Sequence, residues 1–184
     1  GFQSASTQSP WLVPASGLLV PPAPLEYLLQ DRLLPGCLAM LFGDPEAGKS
    51  LLALAWSVSV ATGEPWLGHR VKQGPVIYIA GEGHHGIRRR LLALGINQGL
   101  EAALKNAPLF VSAAGTSFVD TKALGAMVAE IDWVEVIEGP PVLIVVDTLH
   151  RNLGGEENSE TDIGHFLRAA DTLRLRYGAT ILVV

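Results

Sequence analysis

The sequence contains a single cysteine, Cys37, in 184 residues. That excludes an intrachain disulfide and a multi-cysteine zinc site, and it fits a reducing cytoplasm. Charge is also sparse. Asp, Glu, Lys and Arg make up 17 % of the residues and the net charge is −5. The chain as a whole therefore has no basic footprint for nucleic acid, although a local basic patch is compatible with these totals. Long apolar runs are missing: the longest are of strand length, too short to cross a bilayer, so no membrane partner is expected. Residues 1–10 show no basic segment followed by an apolar one, which excludes a secretory signal there. Gly (20) and Pro (12) follow no period, so collagen and repeat architectures fail. Gly1 reads as an expression scar and plays no part in the fold reasoning.

What is present is the composition of a folded domain. Hydrophobic residues make up 48 % of a chain long enough to bury a substantial core. Residues 1–24, with Pro10, Pro14, Pro21, Pro22 and Pro24, read as an extended arm or linker. Residues 25–184 read as one domain. A short amphipathic helix is predicted over 25–34, stopped by Pro35-Gly36. An apolar strand follows over 37–42, then a helix over 49–62 and a strand over 76–80. Next come a helix over 86–94, a short strand over 109–112, and a helix over 121–137 with Asp120 as N-cap. A fully apolar strand over 142–146 leads into Asp147. The last helix, 161–177, is closed by Gly178, and a strand over 180–184 follows. The chain ends within that strand, so a continuation is expected. Apolar β-branched strands alternating with helices predict an α/β fold: a mainly parallel sheet with helices on both faces. Ligands bind such sheets at the carboxyl ends of the strands, and the polar motifs fall there. Trp56, Trp66 and Trp133 are expected in the core or under loops.

Residues 43–50, GDPEAGKS, satisfy the pattern G-x-x-x-x-G-K-[ST] between a predicted strand and a predicted helix. The glycines let the backbone wrap a phosphate, and the N–H groups at the helix start attract the anion. The nucleotide-contacting set is Gly43, Asp44, Pro45, Glu46, Ala47, Gly48, Lys49, Ser50 and Leu51. Lys49 supplies a point charge to the outer phosphates, and the Ser50 hydroxyl joins a Mg²⁺ shell. Asp147 ends the strand VLIVVD, where a carboxylate either completes that metal site, directly or through water, or caps the following loop. Glu82 ends the earlier strand VIYIA, in the segment AGEG. It reads either as a solvated turn residue or as the base that polarises an attacking water. His84 and His85 follow directly, as loop contacts or as two metal ligands without a third.

This ordered set resembles the RecA-like P-loop NTPase core, and within it the RepA-type plasmid replicative helicases and related AAA-type ATPases of bacteria and phages. The resemblance rests on GDPEAGKS, AGEG, VLIVVD continuing as DTLHRNLGGEEN, and the final ILVV, and it spans roughly residues 25–184. Lys49 precedes Glu82 by 33 residues and Asp147 by 98, which leaves room for the intervening elements. The resemblance implies ATP and Mg²⁺ as ligands, with Lys49 and Glu82 catalytic and Ser50 and Asp147 on the metal. It further implies a homo-oligomer, a hexameric ring or filament, with ATP at subunit interfaces and an arginine supplied by the neighbour. Single-stranded DNA is the implied partner. Arg151 reads as an interface residue or a plain surface arginine.

The pattern departs from that family at 152–162, where a DNA-contacting loop is expected. The segment reads NLGGEENSETD, with Glu156, Glu157, Glu160 and Asp162 and no Lys or Arg, which repels a phosphate backbone. Arg88, Arg89 and Arg90 form the one basic cluster, yet at 100° per residue on a helix they cannot share one face. Three functions follow in order of fit: a helicase motor, an ATP-binding regulator or scaffold with little DNA contact, and a small-molecule kinase. The kinase fits worst, because an arginine-bearing lid is missing.

Overall fold

The computed structural model describes residues 13–19, 21, 24–82, 84–156 and 159–184, with the side chain of His85 left out. The expectation of an extended arm over residues 1–24 lies mostly outside the described residues, as do Gly83 and Glu157. A 3₁₀ turn at Ala15–Leu18 is fully exposed.

Five strands form one parallel sheet: β1 (Leu38–Met40), β2 (Val76–Ala80), β3 (Leu109–Val111), β4 (Leu143–Asp147) and β5 (Thr180–Val183). Their order across the sheet is β1-β5-β4-β2-β3. Ala80 pairs with Asp147 and Val146 with Val183, so the carboxyl ends of the three middle strands lie level. The helices are α1 (Lys49–Thr62), α2 (His84–Gln98), α3 (Glu101–Asn106), α4 (Thr121–Glu138), α5 (Leu149–Leu153) and α6 (Glu160–Tyr177).

Strand alternation divides the core in two. Val76, Tyr78, Ala80, Leu143, Val145 and Leu182 face Ala53, Leu54 and Trp56 of α1 and Ile87 of α2. Ile77, Ile79, Ile144, Val146, Ile181 and Val183 face Ile131 and Val134 of α4 and Phe166, Ala170 and Leu173 of α6. Each side of the sheet thus buries its own row of apolar residues, β-branched throughout on the α4 and α6 side, as the expected α/β architecture requires. Among the described residues no helix is long and apolar enough to cross a membrane.

The predicted helix over 25–34 does not form. Leu28 and Leu29 both donate to the Leu33 carbonyl, and Asp31 turns the chain at φ 61°. The Lys72 N–H goes to the Leu28 carbonyl and Leu29 bridges Val71. Pairing with the segment before β2 therefore takes the backbone groups that a helix would have used. It still buries Leu28, Leu29 and Leu33, the residues whose spacing suggested an apolar helix face. The helix predicted over 86–94 is longer, starting at His84, while α3 and α5 were not foreseen. Trp56 is buried and meets Trp66 edge to face at 5.6 Å. Trp133 does not join the core; it is 57 % exposed on α4.

Candidate nucleotide site

The glycine loop leaves β1 and enters α1 through three residues at positive φ. Gly43 has φ 150°, Glu46 63° and Gly48 84°. The first turn of α1 contains no acidic residue of its own, so no carboxylate on the helix competes for its free N–H groups. Lys49 Nζ donates to the carbonyls of Gly43 (2.7 Å) and Asp44 (2.8 Å), folding its charge back across the loop. Leu51, at the outer side of the same turn, is 48 % exposed.

Asp147 sits at the end of β4, only 6 % exposed, with a donor on each carboxylate oxygen. Ser50 Oγ donates to Oδ1 at 2.8 Å and the Tyr78 hydroxyl to Oδ2 at 2.5 Å. The Tyr78 oxygen also lies 3.3 Å from the Ser50 carbonyl, which ties β2 to the start of α1. Burial, reinforced by the negative charge of Asp147, pushes the Tyr78 phenol far up from its usual range, so it stays a neutral donor. Sequence reasoning missed Tyr78. The available signal was a hydroxyl-bearing side chain inside the otherwise apolar VIYIA, on a strand neighbouring VLIVVD.

Glu82 follows the end of β2, two positions past the residue that pairs with Asp147. Its carboxylate is exposed, with Oε1 3.8 Å from Arg151 Nη2 of α5. Gly81 allows this approach: a Cβ there would stand 2.5 Å from Arg151 Cβ and 3.1 Å from the Asp147 carbonyl. The Gly81 N–H donates to that same carbonyl at 2.6 Å. Asn152, fully buried, pins α5 by donating to the Thr148 carbonyl (2.8 Å) and accepting from the Thr116 N–H (3.0 Å). Arg151, read from sequence as an interface or surface residue, thus reaches Glu82 within its own chain.

The predicted residues at the three strand ends do converge. Ser50 and Asp147 touch, Lys49 lies on the same helix turn as Ser50, and Glu82 stands two positions past Ala80, the β2 residue paired with Asp147. His84 stands apart from this group, its Nε2 3.3 Å from the Val111 carbonyl. Among the described residues no three His, Cys, Asp or Glu gather into a metal cluster. The acidic segment is partly structural: Asp162 accepts from the Glu156 N–H, and Ser159 caps α6. Ser50 Oγ and Asp147 Oδ1, hard oxygens 2.8 Å apart beside a phosphate-type loop, suit the oxygen preference of Mg²⁺.

A family model for the AAA domain matches residues 4–184. No curated protein matches the chain. Among solved structures, a KaiC-like protein from the hyperthermophilic archaeon Pyrococcus horikoshii OT3 is similar at a TM-score of 0.59 and 16 % identity. That match covers 87 % of this chain and 70 % of the other, and it shows a shared RecA-like fold. The chain belongs to the AAA domain family, as a P-loop ATPase domain on a RecA-like α/β scaffold.

Proposed function

We propose that this chain hydrolyses ATP with Mg²⁺ as the motor core of a replicative DNA helicase of the RepA type. The observation that carries the reading is the doubly held Asp147 carboxylate, in contact with Ser50 of the glycine loop and one strand away from Glu82. Residues 43–51 receive the triphosphate through backbone N–H groups and the α1 N-terminus. Lys49 exchanges its two carbonyl contacts for the β- and γ-phosphate oxygens. Ser50 and Asp147 would hold Mg²⁺, which when bound neutralises phosphate charge. Glu82 takes a proton from a water whose oxygen attacks the γ-phosphorus. The bond from that phosphorus to the β–γ bridging oxygen breaks, leaving ADP and phosphate. The resemblance to RecA-like ATPases supports a homo-oligomer, ring or filament, in which a neighbour contributes an arginine at the ATP site.

A second reading is an ATP-dependent regulator or scaffold with little DNA contact. The acidic run with Glu156, Glu160 and Asp162 favours it, because that stretch repels a phosphate backbone. ATPase rate with and without single-stranded DNA separates the two. Stimulation supports the motor; a rate indifferent to DNA across salt concentrations removes it in favour of the regulator.

A further inference from the structure

Three stretches of chain meet beside the end of β2, and two glycines make the approach possible. A Cβ at Gly81 would stand 2.5 Å from Arg151 Cβ and 3.1 Å from both Arg151 Cδ and the Asp147 carbonyl. A Cβ at Gly115 would stand 3.0 Å from Asn152 Oδ1, 3.1 Å from Gly81 Cα and 3.4 Å from the Arg151 carbonyl. Neither glycine has a positive φ, so space and not backbone freedom calls for glycine here. The end of β2 thus lies directly against the stem of Arg151, and the segment after β3 closes on both.

The root of that arginine is held firmly. Asn152, fully buried, donates from its side chain to the Thr148 carbonyl and accepts the Thr116 N–H. The Asn152 carbonyl accepts from the Phe118 N–H at 2.9 Å, and the Leu153 carbonyl from the Val119 N–H at 3.3 Å. Leu153 is itself fully buried. Arg151 therefore rises from an anchored helix with its stem along Gly81, while its side chain stays 53 % exposed.

Glu82 is placed differently. It sits in a turn between Gly81 and Gly83, two residues whose lack of a side chain leaves the chain few restraints. Arg151 Nη2 stands 3.8 Å from its Oε1. That separation is longer than a hydrogen bond, so the attraction is one of charge and not of fork geometry. A general base works through its placement first, and a carboxylate on a glycine turn needs an outside hold to keep one.

We propose that Arg151 is a positioning residue for the ATPase: its charge, rooted beside the Asp147 carbonyl, holds the Glu82 carboxylate at the end of β2 where the attacking water is met. The inference rests on Glu82 as the base in the function proposed above and adds the residue that keeps it in place. Arg151 does this within its own chain, apart from any arginine supplied by a neighbour. The pair is exposed, so its effect on rate is bounded at about fivefold. It acts through Glu82 and not on ATP, so the effect falls on kcat and spares KM.

The test is phosphate release by the full chain over a range of ATP concentrations with Mg²⁺, for the parent, Arg151→Gln, Arg151→Lys, Glu82→Gln and the double variant Arg151→Gln/Glu82→Gln. Glutamine keeps much of the stem on Gly81 and removes the charge. For Arg151→Gln, kcat is expected to fall about two- to fivefold with KM unchanged. Arg151→Lys should restore most of the loss, because a point charge suffices where no fork is used, and this recovery also shows that the site folds. Beside Glu82→Gln the Arg151→Gln loss should vanish, whereas a general role in supporting α5 would persist there. At about 1 M salt, where charges are screened within about 3 Å, the parent and Arg151→Gln should converge. An unchanged or raised kcat overturns the inference. So does a changed KM at constant kcat, which would put Arg151 on the nucleotide, or a loss that stays undiminished beside Glu82→Gln. Each of these leaves Glu82 as the base. A Glu82→Gln variant that turns over like the parent overturns the base assignment and the inference together.

Discussion

Replacing Tyr78 with Phe deletes one oxygen from a fully buried ring and leaves the packing of β2 intact. That oxygen donates to Asp147 Oδ2 at 2.5 Å, while Ser50 holds Oδ1 at 2.8 Å. Hydrogen bonds to charged groups contribute about 1.5–3 kcal/mol, and an unsatisfied buried acceptor costs a similar amount. Asp147 is 6 % exposed, so bulk water offers little substitute, and the upper part of that range applies, about 2–3 kcal/mol. A domain of this size shifts by roughly 2–4 °C per kcal/mol, which places the fall in Tm at about 4–12 °C. Circular dichroism melts of Tyr78→Phe against the parent measure it. A fall under about 1 °C would refute the reasoning, because it would mean the carboxylate is satisfied without the phenol. A second readout separates fold from site. With one oxygen released, the carboxylate can rotate, so the Mg²⁺ concentration for half-maximal ATPase should rise several-fold. An unchanged Mg²⁺ dependence alongside a lowered Tm would make Tyr78 a structural prop with no bearing on the orientation of Asp147.

Lys49→Ala is expected to abolish ATP binding or turnover, measured by fluorescent-nucleotide titration and phosphate release; normal ATPase activity would remove the glycine loop from the site. Glu82→Gln should bind ATP like the parent and turn it over about 10²–10⁴-fold more slowly, the usual contribution of a positioned base. An unchanged rate would move the base elsewhere. On the alkaline side, burial and then the hydrogen bond to Asp132 push Tyr177 up to about 12. A phenol that ionises later when folded contributes stability that is fully present below its unfolded value, about 10, and is lost as pH rises above it. Urea midpoints should therefore decline from about pH 10 through about pH 12, and Tyr177→Phe should flatten that decline. Parallel curves for the two proteins would show that the shift carries no stability.

The parts legible in the sequence were those with a local cause. The glycine loop needs left-handed residues and a helix start, and both are written at 43–50. Asp120 and Gly178 mark a helix start and a helix end, and each takes that place: Asp120 accepts from two N–H groups and Gly178 turns left-handed. The four longest helices and the middle strands follow from periodicity for the same reason. The segment 25–34 failed because its backbone partners lie at residues 70–72, a pairing that no local pattern announces. Trp133 was placed in the core on the general preference of tryptophan for burial, but α4 spends its buried face on Ile131 and Val134. Tyr78 and Asn152 were invisible for a different reason. Each is an isolated polar residue in an apolar setting, and its meaning comes from a partner 69 and 36 residues away.

Helix α5 is where these long-range contacts meet. Its five residues follow Asp147 after Thr148 alone, and at Arg151 it reaches the Glu82 carboxylate over a glycine that leaves no room for a side chain. On its other side, Asn152 accepts from Thr116, and the Asn152 carbonyl accepts from Phe118, in the segment that leads from β3 into α4. Gly115 and Thr116 of that segment also line a groove beside α4. A fully buried side chain with two backbone partners cannot move without leaving one of them unsatisfied, at about 1–3 kcal/mol. An exposed ion pair such as Arg151–Glu82 contributes about 0–1 kcal/mol. The weaker link is therefore the one that gives when α5 shifts. Glu82 is held on the soft side of a helix whose hard side belongs to the segment after β3, so a shift of α5 is taken up first at the ion pair, and the coupling between that segment and the carboxylate, equal in both directions, is capped at about 0–1 kcal/mol.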